Sequence, residues 1–488
     1  WGYNTSRFIP KNSGKIDSKN VKNLKLKWAF GFPYSQRARS QPLFAMGSIF
    51  VGSQSGDIYA LDVETGCVKW NFSASAEVRT GIIMDEWKNG TKPKKRPYIY
   101  FGDILANEYA LDAQTGELIW KIKTDDHPNA TRTATSAKFE DILFVPVSGL
   151  EVIPAFNNDY ECCTFRGGLL AVEADTGEIL WKKYSIPVPA KYSGTTSVGT
   201  RMFGPSGAPI WTSPNIDKKR RYVYIGTGEN YSTPADDSSD AIIAYNIDTG
   251  EEVWRRQTLA GDAWNLACMG KGLPNCPEEN GPDMDYSASS ILIDLGDRDI
   301  LVAGQKSGSV YGINPDNGEI IWSKVVSGGG TQGGIHFGMA SEGDVLYVPL
   351  NDMKDTLDGK VWLNRKPGMH SLDTETGNIL WSKITDTECK EIDINCDPGI
   401  SAAVTAIPGA VIAGHLDGMI RVYDKDNGDI LWSFNSLGDY ESISGTPASG
   451  GSFSGSGPSI RNGYMAINSG YGIYNHMPGN ALLLFTID

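Results

Sequence analysis

The chain has 488 residues, 40% of them hydrophobic and 21% charged, with a formal net charge of −14. That length accommodates one large repeat domain or two or three ordinary ones. An acidic chain has no basic surplus to neutralise phosphates, which argues against nucleic acid as a partner, and no apolar run approaches the roughly 20 residues of a membrane span.

Taken in chain order, the predicted elements repeat. After "LKLKWAF", which carries Trp28, come "ALDVETGCVKW" ending at Trp70, "ALDAQTGELIW" at Trp120 and "AVEADTGEILW" at Trp181. "AYNIDTGEEVW" at Trp254, "GINPDNGEIIW" at Trp322, "SLDTETGNILW" at Trp381 and "VYDKDNGDILW" at Trp432 follow. Each reads as strand, tight turn, strand: apolar residues alternate before the turn, and Thr-Gly or Asn-Gly supplies its positive φ. The Trp is expected at the end of a fourth strand, packed between neighbouring units. The C-terminal "YMAINSGYG" and "NALLLFTID" lack a following Trp strand, so the Trp28 strand completes an eighth sheet and closes the ring without free edges. The expected fold is all-β, a single eight-bladed β-propeller domain over 1–488 whose extra length lies in inter-strand loops.

Three close pairs of cysteines, Cys162-Cys163, Cys268-Cys276 and Cys389-Cys396, read as short-range disulfides of an oxidising compartment, with Cys67 left over. Buried thiols in a reducing compartment are the alternative. The sequence begins at Trp1 rather than Met, so removal of a leader is expected, with a periplasmic or secreted destination. Adjacent cysteines can close only a tight, strained ring, and strain of that kind collects at functional sites.

The "A-x-D-x-x-T-G-x-x-x-W" repeat resembles the tryptophan-docking motif of pyrroloquinoline quinone (PQQ) dehydrogenases. "CCTFRGG", "GDAWNLACMGKGLPNCPEENGPDMDYSAS", "LVAGQKSGSVYGINP" and "GGIHFGMA" are similar to the polyvinyl-alcohol-dehydrogenase-like branch of that family, and the resemblance runs the length of the chain. It implies oxidation of an alcohol, polymeric or sugar-like, to an aldehyde or ketone by hydride transfer to PQQ held with Ca²⁺. Such a site needs a flat slot for the quinone, a divalent cation, a base for the alcohol proton and cations for the PQQ carboxylates.

The resemblance implies a residue for each need. Trp211 in "GAPIWTSP" matches the indole floor of the slot, and Glu151 in "VSGLE" matches a metal ligand. In "GTGEN" the family's Asn position holds Glu229, with Asn230 one place later; either side chain can ligate Ca²⁺. Asp285 in "GPDMDYSAS" matches the base that also touches the metal, with Asp283 as a candidate second acid. Lanthanide-using relatives carry a further Asp where this chain has Ser287, which favours Ca²⁺. Arg79 in "AEVRTG" and Lys306 in "AGQKSG" match cofactor-binding cations, and Thr133 in "ATRTATS" a hydroxyl partner, with Arg132 and Thr135 as weaker candidates. In relatives an adjacent disulfide covers PQQ opposite the Trp, one blade earlier than here. Cys162 and Cys163 are therefore expected to fold back as a ceiling opposite Trp211, and the loops around 260–285 and 386–400 to shape the entrance.

No C-x-x-C-H is present, so no covalent c-type haem is expected and electrons must leave to a separate cytochrome c. No Rossmann fingerprint or P-loop occurs, and the five histidines are not spaced as a zinc or copper site. His336 in "GGIHFGMA" reads equally as a substrate contact or a structural histidine. Two competing readings stand beside the enzyme: a non-catalytic binding or assembly propeller, similar to an outer-membrane assembly lipoprotein, and a degenerate quinoprotein that has lost its metal at Glu229. The coincidence of Arg79, Glu151, Trp211, Asp285 and Lys306 favours the enzyme, because a scaffold has no reason to keep it.

Overall fold

The repeat turns form as their composition dictates. In the first copy Asp62 Oδ1 accepts the N–H groups of Glu64 and Thr65 at 3.1 and 3.0 Å, and Gly66 then adopts φ +71°. Asp112 and Asn246 fix their turns in the same way, the local bonding that makes Asx residues turn formers. The turn glycine has a second reason to be glycine. A Cβ on Gly116 would lie 2.6 Å from Trp70, and one on Gly318 2.6 Å from Trp254. Each Trp thus lies over the next unit's turn, and its indole N–H donates there: Trp28 to the carbonyl of Val63 at 3.0 Å, Trp120 to Ala174 at 2.9 Å, Trp381 to Lys425 at 2.8 Å. One residue pair therefore sets both the hairpin and the docking of neighbours.

The computed structural model describes residues 2–85, 96–269, 272–353, 363–385 and 396–487. Among the described residues seven antiparallel sheets have four strands and an eighth has five, with three two-stranded ribbons on the connections. Together they form an eight-bladed β-propeller. The Lys25–Gly31 strand pairs with Ala481–Thr486, Lys25 facing Thr486 and Gly31 facing Ala481, so the last blade is built from both ends of the sequence. The core lies between blades. Phe144, Leu169 and Ala171 of one sheet pack on Ile210, Val223, Ile225 and Ile243 of the next, all buried, and apolar area removed from water at about 25 cal/mol per Å² drives that stacking.

The connections converge on the axis. Arg79, Trp211, Asp285 and His336 precede the first strand of their blades, ahead of Ile83–Met84, Asn215–Asp217, Ile291–Asp294 and Ala340–Glu342, and Thr133 lies between Ala130–Thr131 and Ala137–Phe139 of the five-stranded blade. Glu229 and Lys306 follow second strands, Tyr222–Gly226 and Asp299–Gly304. Further along the axis a cavity of about 580 Å³ is lined by the N-terminal segment, including Asn4 and Arg7.

Candidate active site

Three buried carboxylates meet one buried ammonium near the axis. Lys306 Nζ lies 2.7 Å from Asp283 Oδ1 and 2.8 Å from Asp285 Oδ2, and the backbone N–H of Glu229 donates to Asp285 Oδ1 at 2.9 Å. Oxygens of Glu229, Asp283 and Asp285 all lie within 4.8 Å of one another. Burial, and then the charge of Asp285, pushes Glu229 well above the usual carboxylate range. Burial also pushes Asp283 up against the opposing pull of Lys306. Burial works on Asp285 in the same sense, but Lys306 and the hydrogen bonds from Glu229 outweigh it and hold Asp285 below its ordinary value. Lys306 rises because Asp283, Asp285 and Glu229 overcome the cost of burying it. Asp285 is thus held down and Glu229 pushed up, the direction expected when like charges share a low-dielectric site.

Beside this cluster runs a narrow cleft lined by Arg39, Arg79, Thr133, Trp211, Ser287 and Phe337. Lys306 Nζ stands 5.6 Å from the Trp211 ring centroid, which joins cluster to cleft. His336 and Phe337 meet Trp211 edge-on, with centroids 5.8 and 6.0 Å away. Arg79 lies against Phe337 at 6.0 Å and has no carboxylate partner among the described residues; filling the cleft requires these two side chains to part. Thr133 Oγ1 is buried without a hydrogen-bond partner.

The structure thus brings Arg79, Thr133, Trp211, Glu229, Asp283, Asp285 and Lys306 together. It does not bring Glu151 to the cluster. Glu151 is fully buried, and its oxygens accept the N–H groups of Thr164 and Phe165 at 2.9 and 2.7 Å and the Tyr160 hydroxyl at 2.9 Å. It ties down the loop that carries the cysteine pair. Asn230 likewise uses its amide elsewhere, donating to the Ser206 carbonyl and to Asp236 Oδ1 and accepting the Asp236 N–H. Arg132 pairs with Glu108 at 2.9 Å, Thr135 Oγ1 accepts the Gly81 N–H at 2.7 Å, and neither is among the residues lining the cleft.

Cys162 and Cys163 form a disulfide, as do Cys268 and Cys276. Cys396 is disulfide-bonded, and its expected partner Cys389 lies outside the described residues, with most of the 386–400 loop. The Cys162-Cys163 pair is not among the walls of the Trp211 cleft. It is buried, bonded through its backbone to Phe203, and its Cys163 Sγ lies 3.8 Å from the Tyr231 carbonyl. Tyr231 stacks on Phe165, two residues after Cys163.

Several members of the site escaped sequence reasoning. Arg37 and Arg39 both bind Glu77, Arg37 Nη2 at 2.7 Å from Oε2 and Arg39 through Nη2 on Oε1, and Arg39 faces the cleft. The alternation Arg37-x-Arg39 and Glu77-x-Arg79 was the available signal, since residues two apart share a face of an extended segment. Asp262, which accepts the N–H groups of Asp283 and Met284 at 3.1 and 2.8 Å and so shapes the acidic loop, left no local mark.

An eight-bladed propeller with a carboxylate–lysine cluster beside an indole-floored cationic cleft defines a class of quinone-type dehydrogenase sites. A family model described as glucose/ethanol/alcohol dehydrogenase β-propeller domain matches residues 2–271, and one described as outer membrane protein assembly factor BamB matches residues 306–452. The chain is 38% identical to a polyvinylalcohol dehydrogenase of Pseudomonas sp. over 100% of this chain and 76% of that protein. It is 34% identical to a polyvinylalcohol dehydrogenase of Sphingopyxis sp. (strain 113P3) over 97% of this chain and 74% of the relative. In fold it resembles the crystal structure of quinohemoprotein alcohol dehydrogenase from Comamonas testosteroni, with a TM-score of 0.68 and 18% identity over 99% of this chain and 78% of the other. The chain belongs to the PQQ-type alcohol dehydrogenase β-propeller family, in its polyvinyl-alcohol-dehydrogenase-like branch.

The residues present suit that cofactor. An unpaired guanidinium at Arg79 and an orphaned hydroxyl at Thr133 are what an acceptor-rich polycarboxylate takes up. Three carboxylates with oxygens within 4.8 Å of one another, against a single ammonium, are a donor set that would take up a hard divalent cation.

Proposed function

We propose that this protein is a periplasmic or secreted alcohol dehydrogenase that oxidises a secondary or polymeric alcohol with PQQ and Ca²⁺. The observation that carries the reading is the junction of two half-sites at Trp211: Lys306 of the Glu229–Asp283–Asp285–Lys306 cluster lies 5.6 Å from its ring centroid, and the same Trp211 lines a cleft with Arg79. Arg79, Arg39 and Thr133 would hold the cofactor carboxylates, Trp211 its ring, and Glu229, Asp283 and Asp285 the cation. When bound, PQQ supplies the acceptor for the hydride of the alcohol. Asp285, kept charged by Lys306, takes the proton from the alcohol hydroxyl as general base. The Lys306 ammonium, 2.8 Å from that carboxylate, fixes its position. Electrons then pass to a separate cytochrome c. Similarity to proteins named polyvinylalcohol dehydrogenase supports a hydroxylated polymer as substrate, and the two disulfides among the described residues support an oxidising compartment.

The match of residues 306–452 to an assembly-factor model favours a second reading, a non-catalytic propeller. Against it, a scaffold gains nothing from three carboxylates buried around one lysine, an arrangement that costs stability without a cation. The test is turnover. Purified protein with PQQ and Ca²⁺ is expected to reduce a redox dye when a secondary alcohol or poly(vinyl alcohol) is added; no dye reduction with any alcohol would remove the enzyme reading.

A further inference from the structure

His336 has no part in the chemistry above, yet it packs against Trp211 and Phe337, two walls of the cleft. Its ring lies 5.8 Å from Trp211 at an interplanar angle of 81° and 4.4 Å from Phe337. His336 Nδ1 is 2.8 Å from Ser401 Oγ, which is 2.8 Å from Ser454 Oγ, and both serines are buried. The three residues come from three successive blades, so the imidazole is fixed by elements that cannot move independently of the ring of sheets. Nε2 has no hydrogen-bond partner among the described residues, and the residue is only half-buried.

The ring is neutral. Burial first, then the positive charges of Lys306 and Arg79 and the neighbouring His476, hold it well below the usual histidine range. A neutral imidazole offers one donor and one acceptor. With Ser401 Oγ–H donating to Nδ1, the proton is on Nε2, in a ring that has Lys306 and Arg79 as its charged neighbours. The group that those two cations and Thr133 would hold is rich in acceptors, and a neutral donor can serve it without adding a further cation to a crowded cleft.

We propose that His336 is a cofactor-binding residue whose Nε2–H donates a hydrogen bond to an oxygen of the quinone bound beside Trp211, and that Ser401 and Ser454 are positioning residues for that ring. This deepens the reading of the cleft as a PQQ site and rests on it. The test is the Kd for PQQ at saturating Ca²⁺, followed by quenching of tryptophan fluorescence and by equilibrium dialysis, with no turnover involved. His336→Ala is expected to weaken binding about tenfold, the loss of one hydrogen bond to a charged ligand. His336→Gln, which keeps an N–H donor, is expected to regain part of that loss. Ser401→Ala should weaken binding less than His336→Ala, and the double variant should bind no worse than His336→Ala alone, because Ser401 acts only through the ring. A His336→Ala protein that binds PQQ within twofold of wild type, or additive effects in the double variant, would overturn the proposal. Should His336→Ala not fold, Ser401→Ala decides alone, and an unchanged Kd counts against it. Failure of the wild type to bind PQQ would instead strike the reading of the cleft itself.

Discussion

Asp285 and Glu77 show what single charges do in this molecule. Asp285 is charged because Lys306 stands 2.8 Å away in a site that would otherwise neutralise it. Asp285→Asn keeps the shape and removes the base, so PQQ binding is expected to stay within about threefold while kcat falls at least about a hundredfold; near-normal kcat would mean that another group takes the proton. Glu77 serves stability. Burial raises its pKa, but Arg37 and Arg39 outweigh burial and hold the folded value below the ordinary 4.5. A depressed carboxylate stabilises the fold above its unfolded pKa, and that contribution is lost as pH falls through the folded value. Glu77→Gln is therefore expected to cost roughly 3 kcal/mol at neutral pH, with the gap to wild type narrowing below about pH 4.5. A denaturant series at several pH values measures this, and a gap that widens in acid would contradict it. Residues inside short motifs, such as Trp211, Asp285 and Lys306, were legible because the chain carries them with their neighbours. His336 and Ser401, separated by 65 positions, form a site only after the blades close.

The repeat turn is the element on which the fold depends, and it was legible because its requirements are local: an Asx side chain, a positive φ and a Trp at fixed spacing. The steric need for glycine was not, because the Trp that fills the space belongs to the preceding unit. Gly318 has φ +74°, and a Cβ there would lie 2.6 Å from Trp254. Gly318→Ala is thus expected to destabilise by roughly 2 kcal/mol, from left-handed backbone strain plus displacement of the indole. Thermal or urea unfolding reads this directly, and an unchanged midpoint would show that the Trp contact is dispensable. The loop from Glu151 to Phe165 shows the limit of local reading. Its adjacent cysteines read as a ceiling for the cleft; the loop closes on Glu151 and on Phe203, and the pair is not among the residues lining the cleft. Backbone hydrogen bonds that form only in the folded loop decided its path, and no sequence pattern records them.

At the scale of the whole molecule, ring closure makes the chemistry possible. Eight blades hold their inner connections against one axis, so groups from Arg79 to Ser454 share a few ångströms of space. A carboxylate-rich cluster beside Trp211 and the cations Arg39 and Arg79 that line the cleft with it then form a site suited to a ligand that brings carboxylates for Arg79 and shares a cation with Asp285. The measurement that tests this most directly is a titration of purified protein with PQQ, with Ca²⁺ present and with Ca²⁺ chelated. One PQQ per chain is expected in Ca²⁺, with affinity at least about tenfold weaker after chelation, because the cation offsets the buried carboxylates beside the cofactor. No stoichiometric binding under either condition would contradict the account.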